Sequence, residues 1–303
     1  MTQSTRPLHG IITAMVTPLK DQNTLDYAGL ERLTEHLIAG GVHGLFPLGT
    51  TGEASALPMH LREEVIERVC GQAAGRLPVV VCVTDTSLES ATRLALKAKE
   101  CGAAAVSTAP PFYYAITQDE ILRWVEQLTR QTKMDLLLYN APGNTHHTIH
   151  PATVRRAAEI EHVVGIKDSG LQMSYFHELV AAMAGREDFS LLVGPEELLA
   201  ECVLFGGHGG MAAGSNIYPK LYVDLFNAAV AGDMARVRPL HQEVLAFTKA
   251  FYHGNNPLRG VKCGLGLLGI CSSVLTEPLA SLTLAEGTAV EKYLALHRSE
   301  INV

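Results

Sequence analysis

Residues 135–170 read DLLLYNAPGNTHHTIHPATVRRAAEIEHVVGIKDSG. The stretch opens on a compact run at 135–139 that is apolar on both faces. It passes through a turn rich in Pro and Gly into a helical segment at 151–158, then returns to an apolar run at 163–167. Runs without polar alternation mark strands covered on both sides, and two of them joined through a helix are expected to lie parallel. The pattern repeats outward in both directions. Further runs stand at 11–16, 44–48, 79–83 and 104–107 upstream, and at 190–193 and 210–213 downstream. Between them, helical periodicity predicts helices at 26–39, 62–73, 87–101, 118–131, 174–184 and 196–205; in the first, Leu30, Leu33, Leu37 and Ile38 share one face. Asp26, Ser87 and Thr117 with Glu120 are suitable helix caps.

Eight βα units fit an α/β chain folded as a (β/α)8 TIM barrel. A doubly wound open sheet has the same local pattern, but no GxGxxG follows the first run, which weakens its dinucleotide-binding form. After Gly214 only helices are predicted, at 218–231, 234–252, 257–268 and 285–296. The expected division is a catalytic barrel over 1–231 and a C-terminal helical region over 232–303. The 303 residues carry 24 Lys and Arg against 31 Asp and Glu, a formal charge of −7. That excludes a general nucleic-acid binder, which needs a cationic surface. With 47% hydrophobic and 18% charged residues the chain is too apolar to be disordered. Six cysteines without a CxxC pair read as buried thiols in a reducing compartment. The apolar stretch 261–275 is too short to span a membrane and contains Lys262, and the start MTQSTRPLHG lacks the apolar run of a secretory signal. A cytoplasmic protein is expected.

In a parallel barrel the C-terminal strand ends share one mouth, and catalytic groups come from several of them. Here those ends are chemically rich. The sixth run ends in Lys167; desolvation favours the neutral form of an amine, which attacks carbonyls. An ordinary ion pair with Asp168 is the competing reading, and adjacent strand residues point to opposite faces, which disfavours it. Tyr139 ends the fifth run, where a phenol can move protons or simply fill the core. Gly49-Thr50-Thr51-Gly52 offers two hydroxyls and backbone N–H groups suited to a carboxylate or phosphate, or plain turn and cap chemistry, with Glu53 as a structural acceptor. Tyr113 and Tyr114 follow two prolines, and one of them could reach over the mouth. Gly206-Gly207-His208-Gly209-Gly210 reads as close backbone approach, with a phosphate loop as the alternative. His146-His147 lacks the partners of a metal site, and there is no HExxH, so no metal is expected.

Together, Gly49-Thr50-Thr51-Gly52-Glu53, Tyr139-Asn140-Ala141-Pro142 and Gly165-Ile166-Lys167-Asp168 resemble, in order and spacing, the dihydrodipicolinate synthase / N-acetylneuraminate lyase family. The likeness runs from Ile11-Ile12-Thr13-Ala14 and Thr17-Pro18 to Asn256-Pro257 and Val261-Lys262. It implies a barrel with a helical extension, assembled as a homotetramer of paired dimers. It implies that Lys167 forms a Schiff base with pyruvate or another 2-oxo acid and that Tyr139 shuttles protons. Thr50 and Thr51 would hold the substrate carboxylate beside Gly49, with Thr50 relaying protons between Tyr139 and Tyr113. Tyr113 matches a position that a neighbouring subunit often inserts. Backbone groups of Gly194 and Met211 would line the site. No cofactor is implied, and neither a nucleic-acid nor a membrane partner.

Two positions depart from the pattern. Members that make dihydrodipicolinate usually carry an arginine two residues after the YNxP proline, and here Asn144 stands there; sialic acid lyases usually have Ser where Thr50 stands. The expectation is therefore an aldolase or dehydratase acting on 2-keto-3-deoxy or hydroxy-2-oxo acids, with 143–147 setting specificity. Dihydrodipicolinate synthase proper and a 2-oxo-acid-binding regulatory protein are the alternatives.

Overall fold

The computed structural model describes residues 7–253 and 257–301. Asn256, part of the resemblance, and the first six residues lie outside them. Eight strands run in chain order: β1 (Gly10–Ala14), β2 (Gly44–Phe46), β3 (Val80–Cys82), β4 (Ala105–Thr108), β5 (Leu136–Asn140), β6 (Val163–Asp168), β7 (Ser190–Val193) and β8 (Gly209–Gly210). All their residues are buried, as continuous apolar runs require. All pairings among them are parallel, in the order β2-β1-β8-β7-β6-β5-β4-β3. A parallel bridge between Leu45 and Val79 closes the ring; Leu45 N donates to Pro78 O at 3.0 Å and Cys82 N to Pro47 O at 3.1 Å. The fold is thus a (β/α)8 barrel. Each of the eight predicted strands is present, with ends displaced by at most a few residues. An antiparallel hairpin of Leu19–Asp21 with Thr24–Leu25 was not predicted. Three residues against two is too short for any periodicity to register.

Helices α1 (Tyr27–Ala39), α2 (Met59–Ala73), α3 (Leu88–Glu100), α4 (Gln118–Thr132), α5 (Pro151–Ala157), α6 (Met173–Ala182), α7 (Leu199–Leu204) and α8 (Pro219–Val230) cover the barrel. The predicted caps act as such. Asp26 accepts from Gly29 N, Ser87 accepts from Ser90 N, and Thr117 and Glu120 form a reciprocal capping box. The helices α9 (Met234–Phe251), α10 (Leu258–Leu267) and α11 (Leu284–Ile301) follow. Phe247 and Phe251 stack at 4.1 Å, and the Tyr293 ring from α11 meets both edge-on at 5.5 Å. None of the described helices is long and apolar enough to cross a membrane.

At the N-terminal end of the barrel the chain passes from Gly206 to Gly210. The amides of Gly206, Gly207 and His208 donate to Val203, Cys202 and Leu191 carbonyls at 3.2, 2.7 and 2.8 Å. The segment precedes β8 and so lies opposite the mouth, which sets aside the phosphate-loop alternative. Close approach is the reason for its glycines: Gly209 has φ +143°, and a Cβ there would collide with the Gly10 backbone.

Two half-buried histidines finish this end. His43 Nδ1 accepts from Ile11 N at 3.1 Å and His208 Nδ1 accepts from Leu191 N at 3.0 Å. Both rings must keep Nδ1 unprotonated to satisfy β1 and β7. Burial, with His9 nearby as a smaller cause, pulls both imidazoles below the ordinary histidine range. A histidine depressed in the folded state gives stability that is complete above its unfolded pKa of about 6.5 and is lost as pH falls through the folded value. Asparagine at both positions keeps an acceptor that does not titrate. The melting temperature of wild type is expected to fall more steeply between pH 7 and 5 than that of the His43→Asn/His208→Asn variant. Parallel curves would show that these rings do not set the acid limit.

Candidate active site

The register between β5 and β6 places Tyr139 opposite Lys167 and Asn140 opposite Asp168. Opposed residues of neighbouring parallel strands share a face, so Tyr139 and Lys167 point together and Asn140 and Asp168 point the other way. The second pair is structural. Asn140 Nδ2 donates to Asp168 Oδ1 at 2.7 Å, Gly170 N donates to the same oxygen at 3.0 Å, and Asn140 Oδ1 accepts from Ile149 N at 2.9 Å. Burial raises the Asp168 carboxyl above its ordinary range, against those two donors.

Lys167 is 4% exposed, and among the described residues its Nζ makes neither an ion pair nor a hydrogen bond with a carboxylate. The predicted competitor, a Lys167–Asp168 pair, is not formed. The ammonium position lies instead 4.3 Å from the Tyr139 ring centroid and 4.7 Å from that of Phe46, and the two rings meet edge to face. Such faces return about 0.5–2 kcal/mol to a cation, less than the several kcal/mol that leaving water costs an ion.

The Tyr139 hydroxyl lies 3.2 Å from Thr50 Oγ1. Thr50 belongs to the turn after β2, where Gly52 N donates to Gly49 O at 3.0 Å and Glu53 N to Thr50 O at 3.1 Å. Among the described residues the Thr50 and Thr51 amides donate to no protein acceptor. Thr50 is exposed and lines the cavity at the mouth; Thr51 is half-buried and is not among the residues that line it. A Cβ at Gly49 would meet the Phe46 ring at 2.6 Å, and one at Gly52 would meet Leu48 N at 2.8 Å.

A cavity of about 140 Å³ opens here, lined by Gly49, Thr50, Cys82, Thr84, Tyr139, Asn144 and their neighbours. Its wall includes no Lys, Arg, Asp or Glu. Lys167 stands just outside it, against the Tyr139 ring that forms part of the wall. Asn144 sits on a short helix (Pro142–Thr145) that starts at the YNxP proline. That helix was not predicted, because four residues carry no periodicity. Cys82 and Thr84 were also missed; the polar end of the third run was the available signal. Gly194 and Met211 do not line the cavity. Their amides donate to Asp168 O at 2.6 Å and Val193 O at 2.8 Å. Tyr113 is 78% exposed, stacked edge-on with Tyr114 at 5.0 Å, and the chain does not bring it to Thr50 or Tyr139. Glu53 is the structural acceptor expected, taking both Thr276 N and Oγ1. Among the described residues no three His, Cys, Asp or Glu side chains could hold a metal ion.

Residues 7–296 match the model of the dihydrodipicolinate synthetase family. A 4-hydroxy-tetrahydrodipicolinate synthase of Thermomicrobium roseum is 35% identical over 278 residues, 92% of this chain and 91% of the relative. The structure of a dihydrodipicolinate synthase from Bacteroides thetaiotaomicron superposes with a TM-score of 0.92 at 47% identity, covering 96% of this chain and 99% of that one. YagE, an Escherichia coli K12 prophage protein of the dihydrodipicolinic acid synthase family solved with pyruvate, gives 0.92 at 25% identity over 96% and 99%.

The buried Asn140 bridge makes the register of the two reactive side chains testable. Asn140→Leu orphans the Ile149 amide, worth roughly 1–3 kcal/mol when left without a partner, and leaves Asp168 Oδ1 with the Gly170 amide alone. Chemical denaturation should show a loss of that order. An unchanged midpoint would mean that the strand ends are held by something else.

Proposed function

The chain belongs to the dihydrodipicolinate synthetase family, class I pyruvate-dependent lyases, and we propose that it cleaves or forms the C–C bond of a 2-keto-3-deoxy or hydroxy-2-oxo acid through an imine on Lys167. The observation that carries this reading is the register pair Tyr139–Lys167, with an amine that no carboxylate neutralises. Family membership makes the chain an enzyme, which sets aside the purely binding alternative.

In the proposed sequence the Thr50 and Thr51 amides and hydroxyls receive the substrate carboxylate, bringing the keto carbon to Lys167 Nζ. Such positioning is worth several kcal/mol of barrier. The neutral amine bonds to the keto carbon, and the former carbonyl oxygen leaves as water. Tyr139 and Thr50, 3.2 Å apart, carry the protons of that step. The iminium draws in the electron pair of the bond between the α and β carbons as the β-hydroxyl gives up its proton to the relay; an aldehyde departs, and an enamine remains. Protonation of its carbon and hydrolysis of the imine release pyruvate and restore the amine. In the dehydratase variant the α carbon instead loses a proton to give the enamine, which expels the protonated β-hydroxyl as water. Backbone groups of Gly194 and Met211, the residues that follow β7 and β8, are the further contacts of this proposed site. Tyr113, exposed in a single chain, extends the Tyr139–Thr50 relay from a neighbouring copy in a cytoplasmic homotetramer.

The neutral wall around Asn144 and Thr84 supports a polyhydroxylated second half of the substrate. A second reading, 4-hydroxy-tetrahydrodipicolinate synthase, is favoured by the names of relatives at 31–35% identity. That reaction adds to pyruvate a four-carbon amino-acid aldehyde, aspartate 4-semialdehyde, whose carboxylate calls for a cation that the cavity wall does not supply.

Borohydride with pyruvate should add the reduced pyruvyl mass to the Lys167 peptide of wild type, and Lys167→Ala should take none. An unmodified Lys167 at saturating pyruvate sinks the mechanism. Tyr139→Phe keeps the ring over Lys167 and should lower turnover by about 10²–10⁴; a loss under threefold removes Tyr139 from the relay. In a panel of acids scored by pyruvate release, kcat/KM for the best 2-keto-3-deoxy acid is expected to exceed that for condensation with aspartate 4-semialdehyde by on the order of 10². The reverse order assigns the synthase activity.

A further inference from the structure

Two residues with side chains adopt a left-handed backbone in the connection from β2 to α2: Leu48 at φ 63° and Glu53 at φ 58°. They bracket the turn that presents Thr50 and Thr51. Such a backbone is strained and persists only where its surroundings fix it. Leu48 is fixed by burial at 1% exposure. Glu53 is fixed by charge. Its Oε2 accepts from Thr276 N at 2.7 Å and Thr276 Oγ1 at 2.8 Å, and its Oε1 is ion-paired with Lys262. Lys262, on α10, is fully buried and also donates to Val274 O at 2.6 Å. Burial pulls the Lys262 ammonium below the ordinary lysine range, and the Glu53 carboxylate opposes that pull.

We propose that Lys262 is a positioning residue of the active site, which acts through Glu53 to hold the 49–53 turn in the shape that aims the Thr50 and Thr51 amides at the substrate carboxylate. It does not line the cavity. A buried ion pair is weak support for global stability, because well-fitting neutral side chains serve as well. Its distinctive effect is geometric. One ammonium ties the Glu53 carboxylate to the Val274 carbonyl, and the carboxylate in turn takes both donors of Thr276. The left-handed Glu53 is thereby locked between two segments of the C-terminal helical region. Thr17 Oγ1, donating to Gly52 O at 2.7 Å, clamps the same turn from the β1 side.

The inference rests on the carboxylate-binding role given to the turn under the proposed function, and the test separates the two. Lys262→Met alone strands a buried carboxylate and is expected to melt early. The informative variant is Glu53→Gln/Lys262→Met, which removes both charges at similar volume. Its melting temperature should stay within a few degrees of wild type. The pyruvate concentration giving half-maximal borohydride trapping on Lys167 should rise about tenfold or more, while the trapping rate at saturation changes less than threefold. Amide exchange at 50–53 should quicken while the barrel strands keep their protection. Lys262→Arg, which keeps the charge, should recover part of the half-saturation shift. Half-saturation within twofold of wild type in the double variant overturns the proposal, as does a double variant that fails to fold, which would assign the pair to global folding. Absence of trapping in wild type is a different result: it overturns the imine reading itself, and the positioning role with it.

Discussion

Two lysines lie inside this protein, and the contrast between them organises the rest. Lys262 is fully buried and has a carboxylate in Glu53. Lys167 is 4% exposed and has only the faces of Tyr139 and Phe46. Burying an ion costs several kcal/mol after relaxation, and a well-placed counter-ion can offset it. A pair of aromatic faces recovers less. The first environment therefore suits an amine that stays an ammonium and holds structure. The second leaves its amine without a fixed counter-ion, and on that feature the proposed imine chemistry rests. The two residue types are identical, and the partner decides the chemistry.

That distinction needs a rigid frame. In a parallel barrel each strand is fixed by two neighbours, so a register such as Leu138–Ile166, Tyr139–Lys167, Asn140–Asp168 cannot slip without turning every side chain to the wrong face. The frame is closed at its opposite end by glycines that let β8 and β1 approach and by two imidazoles that accept strand amides. Chemistry at the mouth and closure at the base are properties of the same ring of hydrogen bonds.

Much of this could be read from the chain. The eight apolar runs and the caps at Asp26, Ser87 and Thr117 follow from local rules, and all of them hold in three dimensions. Lys167 and Tyr139 stood out because polar residues at the ends of apolar strands have few structural uses, and the strand register brings the two together. What escaped is either too short or too distant. The hairpin Leu19–Asp21 with Thr24–Leu25 and the helix Pro142–Thr145 have no period to detect. The Glu53–Lys262 pair joins segments more than 200 positions apart, and Thr276 lies 223 positions from Glu53. Lys262 showed only as a charge interrupting an apolar stretch. Nothing local says which acid it meets.

The distance between those segments has a functional meaning. The turn that carries Thr50 and Thr51 is built from residues whose own preferences oppose its shape, since Leu48 and Glu53 would each relax toward an ordinary backbone if freed. Its glycines allow the close approach to Phe46 and Leu48 but do not dictate it. The shape is therefore imposed from outside, by Thr17 on one side and by α10 with the segment after it on the other. Helices that follow a complete ring of strands are in this way part of what gives the mouth its form. Substrate affinity and the fit of the last helices against the barrel are coupled through a single carboxylate.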